Sequence, residues 1–253
     1  SITGETTAEN KVPYLLFSKV EVTGDDLQDA QVQMDHETQR PNVGFTLNPR
    51  GATTFDKLTA DHIGGYQRAL FPTWKDVLHD GCTARKEVLI QEAVVPPKIG
   101  SGCYLIGGEW IDPYSGKKLT QYNQVQIDHL VPLAEVWRSG GYSWTAAERE
   151  YYANDIYDPR TLIAVSGSLN EQKSDSDIAN WQPPGGYMAG CNYVKDWIAV
   201  KLRYSLSVDP VENTYLQAQI KECKITDIKV TPLSGFGNPS APKVNLKKKV
   251  VKK

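Results

Sequence analysis

The sequence lacks any apolar run long enough to cross a bilayer, so no membrane-spanning helix is expected. It lacks a Cys-x-x-Cys pair, which argues against a zinc ribbon. It lacks a strong charge of either sign: the formal net charge is −2 over 253 residues. Global charge therefore does not advertise nucleic acid, and any phosphate-binding surface must be a local patch. Histidine is scarce, with four in the chain. The chain opens at Ser1 with polar residues and no signal-peptide pattern, as a processed or truncated chain would. What remains is an ordinary globular composition, with 40% hydrophobic and 23% charged residues.

Four cysteines are present: Cys82, Cys103, Cys191 and Cys223. Two readings stand side by side. All four are reduced, buried thiols, or the protein is secreted and carries near-neighbour bridges, Cys82–Cys103 and Cys191–Cys223.

Three regions follow one another. In residues 1–70, "LLFSKVEVTG", Ala30 to Met34 and Val43 to Leu47 read as strands, with a turn at "ETQRPN". A helix is expected over 51–61, stopped by Gly64-Gly65. His36 and His62 are expected on the surface. The stretches "VTGDDLQDAQV" and "RPNVGFTLNPRGATTFDKLTADHIG", with their spacing, resemble the first periplasmic domain of the SecD translocase subunit. The resemblance implies a borrowed extracytoplasmic module, with recognition or export as its task, and not a translocase.

The second region, 74–223, alternates helices with short strands. "DGCTARKEVLIQEA" reads as a helix capped by Asp80, and "GCYLIGGEWIDPYSGKKLT" as a hairpin. "VQIDHLVPLAEVWRSGGYSW" reads as strand, turn and helix, and "WTAAEREYYAND" starts another helix. "RTLIAVSGSLNEQKSD" is a short apolar strand followed by a tight turn and polar residues. In "CNYVKDWIAVKLRYSL", Tyr193, Trp197, Val200 and Leu202 form an apolar stripe expected in the core. Trp110, Tyr114, Trp137, Trp144 and Trp181 are expected there too. The third region, 224–253, is rich in Pro, Gly, Ser and Lys and reads as a flexible basic tail.

The chemistry centres on "QVQIDHLVPLAE". A histidine alone in such a segment is most often structural. Asp128 and His129, adjacent at a strand end, diverge, so one can hold a metal while the other faces a water. Hydrolysis of a phosphodiester needs a base for that water and positive charge on the phosphate. Neutral imidazole supplies the first, and an oxygen-ligated divalent cation the second. "SLNEQKSD" offers Asn170 as a further ligand and Lys173 one turn later as a phosphate contact.

This pattern resembles the ββα-metal (HNH) nuclease finger. "DGCTARKEVL", "DPYSGKKLT", "VQIDHLVPLAEVWRSGGYSWT", "YYANDIYDPRTLIAVSGSLNEQKSDSDIANWQPP" and "CNYVKDWIAVKLRYSLSVDPVE" together resemble secreted HNH endonucleases akin to the C-terminal domain of GmrSD-type restriction enzymes. The resemblance implies an α+β fold: an HNH finger embedded in a mainly helical domain, preceded by the small β-rich SecD-like α+β module. It implies Asp128 and Asn170 as ligands of one Mg²⁺ or Mn²⁺ ion and His129 as general base. Lys173 and Arg85 become phosphate contacts, with Glu87 orienting Arg85 and Asp175 completing the "KSD" signature. The family's middle Asn is replaced by Thr161, whose hydroxyl would take over the bracing of the base, with Asn154, out of register, as the other candidate. The cysteines of zinc-stabilised relatives are missing, Ser166 and Leu169 standing in place of the second pair, so no structural zinc is expected. The resemblance favours two disulfides, a secreted or extracytoplasmic location and DNA as substrate, with RNA as the alternative. A toxin effector with an immunity or export partner is one biological setting. The competing reading is a catalytically impaired protein that binds nucleic acid or a partner on a nuclease fold.

Overall fold

The computed structural model describes residues 27–34, 41–47 and 64–233. The first two segments form an antiparallel hairpin, β1 (Leu27–Met34) with β2 (Pro41–Leu47), with a register shift between Leu27 and Asp29. Both strands begin before the residues expected from sequence. The strand expected in "LLFSKVEVTG" and the helix over 51–61 lie outside the described residues, as do His36 and His62.

Residues 64–233 combine small two-stranded sheets with helices, a mixed α+β arrangement. Helix α1 (Ala84–Gln91) starts from Thr83, not from Asp80. Asp80 instead accepts the Cys82 backbone N–H at 3.0 Å, a side-chain turn one step earlier. The expected single hairpin is two separate ladders. β3 (Lys98–Gly100) pairs with β4 (Tyr104–Ile106), and β5 (Trp110–Ile111) with β6 (Lys118–Leu119). Gly107 and Gly108, both at positive φ, turn the chain between the ladders.

The structural centre is β7 (Val125–His129), antiparallel to β8 (Leu162–Ser166), with Asp128 opposite Ile163 and His129 opposite Leu162. Paired residues share a face, so this narrow sheet divides two cores. Val125, Ile127, Leu162 and Ala164 pack against Val88, Leu89, Leu105 and Trp110. Ile163 and Val165 face the larger cluster, built around Phe71, Tyr152, Tyr193 and Trp197.

Between the strands lie α2 (Leu133–Arg138) and α3 (Ala146–Ala153). The second opens with a capping box between Thr145 and Glu148. Directly after β8 comes α4 (Gly167–Lys173), packed against both strands. Helices α5 (Cys191–Arg203) and α6 (Pro210–Glu222) complete the larger core. Asp209 caps α6 through the N–H groups of Val211 and Glu212. In α5, Tyr193, Trp197 and Val200 are buried as expected, but Leu202 is 36% exposed. It falls outside the i, i+3/i+4, i+7 set of the other three.

A buried charge cluster ties three helices. Lys201 Nζ donates to Glu135 and Glu212, each at 2.6 Å, and Trp197 Nε1 donates to Glu212 at 2.5 Å. Two disulfides are formed, Cys82–Cys103 and Cys191–Cys223, the second joining the start of α5 to the residue after α6. The stretch expected to open a tail at 224 stays bound to the fold. Ile225 is buried, and Arg160 and Arg203 donate to the carbonyls of Lys229, Thr231 and Pro232.

Candidate active site

The period of a strand and the period of a helix build this site together. Gln126 and Asp128, two apart on β7, point to the same face. Asn170 and Lys173, three apart on α4, share one side of that helix. The two pairs meet: Asn170 Nδ2 donates to Gln126 Oε1 at 2.7 Å, and Lys173 Nζ lies 2.9 Å from Asp128 Oδ1.

Each hydrogen bond fixes the role of the next atom. Gln126 Nε2 donates to the Glu171 carboxylate at 3.1 Å, so its Oε1 is the atom that accepts from Asn170. Asn170 thereby presents Oδ1, which has no partner among the described residues.

Asp128 is 5% exposed, and both of its oxygens are held. Tyr114 donates its phenol to Oδ2 at 2.6 Å, and Lys173 Nζ sits 2.8 Å from the same oxygen. Burial and then the Asp128 charge hold the Tyr114 phenol well above its usual range, so it remains a donor. Tyr114 is placed by the "DPYSG" turn. Asp112 accepts its backbone N–H at 3.2 Å, and Gly185 N and Met188 N donate to the carbonyls of Tyr114 and Pro113. Gly186, at φ +67°, lies so close that a Cβ there would collide with the Pro113 carbonyl.

His129 ends β7 and is 5% exposed. Its Nε2 lies 3.0 Å from the Ala153 carbonyl. A carbonyl only accepts, so Nε2 carries the hydrogen and Nδ1 carries the lone pair. The rings of Tyr152 and Trp74 flank the imidazole, with centroids 6.0 and 5.8 Å away. Burial first, and then the charges of Arg68 and Lys173, push its pKa down to about 3 against the pull of the Ala153 carbonyl. The ring is neutral throughout the physiological range.

Asp128, His129 and Asn170 line one cavity of about 340 Å³, with Tyr66, Arg68, Ile127, Pro132, Leu133, Ala134, Ser174 and Asp175. Its oxygen donors, the Asp128 carboxylate and the Asn170 amide oxygen, suit a hard divalent cation, and the His129 Nδ1 lone pair is left over. The cysteines are all in disulfides. Asp80, Cys82 and Glu87 also bring ligand atoms within 4.8 Å of one another, but the Cys82 sulfur is bonded to Cys103 and offers no thiolate.

Other expected residues are placed differently. Lys173 was expected at a phosphate, yet it is fully buried and spends its donors on Asp128 and the His129 carbonyl. Arg85 is half-buried outside the cavity lining and donates to Val125 O at 3.0 Å, at the far end of β7 from His129. Glu87 is buried beside Cys82 and Asp80. Thr161 holds the surroundings of His129 through its backbone, with Leu130 N donating to its carbonyl at 3.1 Å. Its hydroxyl donates to Asp155, so the brace on the imidazole is Ala153, not Thr161. Tyr114, Arg68 and the Ala153 carbonyl were not singled out from sequence. Tyr114 reads as an aromatic in a turn, and a backbone acceptor leaves no residue-type signal.

Residues 93–221 match the family model described as GmrSD restriction endonucleases, C-terminal domain, just over half of the chain. The chain belongs to this GmrSD C-terminal domain family. All of β7, β8 and α4 lie within the matched span, and the membership suggests a nuclease. Residues 2–110 match SecDF, P1 head subdomain. The two matches overlap over 93–110, where the structure packs Leu105 and Trp110 into the core beneath β7.

Among relatives, an uncharacterized secreted protein of Arthroderma benhamiae is 36% identical over 181 residues, covering 71% of this chain and 81% of that protein. A SecD translocase subunit of Anaeromyxobacter dehalogenans is 43% identical over 54 residues, 20% of this chain and 9% of that subunit. No solved structure matches significantly. The two disulfides and the secreted relative fit an extracellular location for this GmrSD-family chain.

Proposed function

We propose that this chain is a metal-dependent HNH endonuclease that hydrolyses DNA, with His129 as general base. The carrying observation is the cavity that gathers the Asp128 carboxylate, the Asn170 Oδ1 and a His129 whose remaining lone pair is on Nδ1. Two antiparallel strands followed directly by a helix, with Asp128 meeting that helix and His129 ending the same strand, support the ββα-metal reading.

His129 Nδ1 takes a proton from the attacking water, and the new water–phosphorus bond forms as the bond to the leaving oxygen breaks. The imidazolium that results keeps its Nε2–H on the Ala153 carbonyl, which favours the charged ring. A phosphodiester in the cavity adds negative charge beside the ring and raises its proton affinity from the low value set by burial. Tyr114 and Lys173 hold Asp128 from behind and fix its rotamer. Asp128 and Asn170 would hold the divalent cation, Mg²⁺ or Mn²⁺, whose charge offsets what builds on the phosphate and leaving group. Lys173 already neutralises much of Asp128, which favours weak metal binding in the absence of substrate.

The change at Thr161 does not remove the brace on the base, because Ala153 supplies it. This favours an active enzyme over an impaired binding protein. The expected result is cleavage of supercoiled plasmid in magnesium, stopped by EDTA and restored by excess magnesium. Cleavage that persists unchanged in EDTA would refute the metal dependence.

A further inference from the structure

Residues 64–75 precede the GmrSD-matched span and fall within the SecDF-matched one, yet they are fastened along their length to the unit that carries β7, β8 and α4. Trp137 Nε1 donates to Gly64 O at 2.8 Å, and Arg149 Nε to Leu70 O at 3.2 Å. Asn154 donates to Pro72 O and accepts from Lys75 N, both at 2.7 Å. Phe71 is 1% exposed within the larger core. Between these fastenings, the 3₁₀ turn Arg68–Leu70 brings Arg68 into the lining of the cavity that holds Asp128, His129 and Asn170.

Arg68 is the one lysine or arginine among the described cavity-lining residues. The cations nearby are committed elsewhere. Lys173 is buried under Asp128, Arg138 is held by Glu135 and Asp175, and Arg85 sits on Val125 O. Arg68 is exposed and makes no ion pair among the described residues; its side chain hydrogen-bonds the Tyr66 phenol. A guanidinium so placed carries five N–H donors and can meet two phosphate oxygens at once, with no carboxylate to displace.

We propose that Arg68 binds the scissile phosphate, so that a strap from outside the GmrSD-matched span completes the site. The proposal rests on the nuclease reading and assigns to Arg68 the contact that sequence gave to Lys173 and Arg85. The test uses the full chain and the variants Arg68→Ala, Arg68→Lys and Lys98→Ala, the last an exposed charge on β3 outside the cavity. Plasmid cleavage is measured in magnesium. Binding of a short duplex oligonucleotide is followed by fluorescence anisotropy in EDTA, between about 50 and 200 mM salt. Arg68→Ala is expected to lose about 100-fold in kcat/KM. The slope of log affinity against log salt should become shallower by about one unit. Arg68→Lys should recover part of both, Lys98→Ala should match wild type, and thermal midpoints should stay together. If wild type cleaves and Arg68→Ala cleaves equally well with an unchanged salt slope, the proposal is overturned and the nuclease reading stands. If wild type does not cleave yet Arg68→Ala alone flattens the salt slope, the phosphate contact stands and the nuclease reading falls.

Discussion

At the scale of single residues, burial decides which charges are available for chemistry. Lys173 and Arg68 are both cations near the cavity, but one ammonium is sealed beneath Asp128 and the other side chain faces solvent. Removing Lys173 would leave a buried carboxylate with only the Tyr114 phenol. Lys173→Met should therefore destabilise the protein by about 3–5 kcal/mol in EDTA. It should also regain more stability on adding magnesium than wild type does, because Asp128 is no longer neutralised. Thermal unfolding with and without magnesium checks this, and equal midpoints in EDTA would contradict it. The residues Asp128, His129 and Asn170 were legible because a strand end and a helix turn impose the spacing that brings them together. The role of Lys173 was not, since residue type gives a charge but not the direction in which it points. Tyr114 was hidden for a related reason: a buried aromatic in a turn reads as core until its hydroxyl finds Asp128.

At the scale of elements, β8 is a nearly continuous apolar strand because it is covered on both faces. Its paired edge meets β7, and Ala164 N donates instead to the Glu92 carboxylate at 2.8 Å. Burial pushes Glu92 up to about 7, against the opposing effect of that hydrogen bond. The folded value thus lies above the unfolded one, near 4.5, so the fold favours the protonated carboxyl. Its stabilising contribution is complete below that unfolded value and is lost as pH rises through about 7. Glu92→Gln keeps an acceptor for Ala164 and removes the titration. Its thermal midpoint should fall less than that of wild type across this window, and parallel pH profiles would count against the account. Strands and helices with a clear period, such as β7 and α5, were legible in sequence. The start of α1 was misread because Asp80, a strong capping type, caps a turn ahead of the helix instead.

For the whole molecule, the two resemblances divide the chain at 70–74 and near 223, and the described structure carries contacts across both points. The stretch 64–70, read with the first module, is fastened to α2 and α3, and the chain stays docked as far as Pro232. These attachments run through backbone carbonyls, which any residue supplies, so the sequence carries no mark of them. A chain beginning at residue 64 should unfold close to the midpoint of the full protein. One beginning at Trp74 loses Phe71 from the core and should be weaker by about 3–5 kcal/mol. Denaturant unfolding of the two truncations decides it, and equal stability would show that the strap is not part of the folding unit.

The central claim is that a neutral His129, held through Nε2, deprotonates the attacking water with Nδ1. Plasmid cleavage in magnesium by His129→Ala, beside wild type, tests it most directly. The account predicts a loss of about 100-fold or more in rate, with the variant still folded by circular dichroism. Cleavage by folded His129→Ala at the wild-type rate would contradict it.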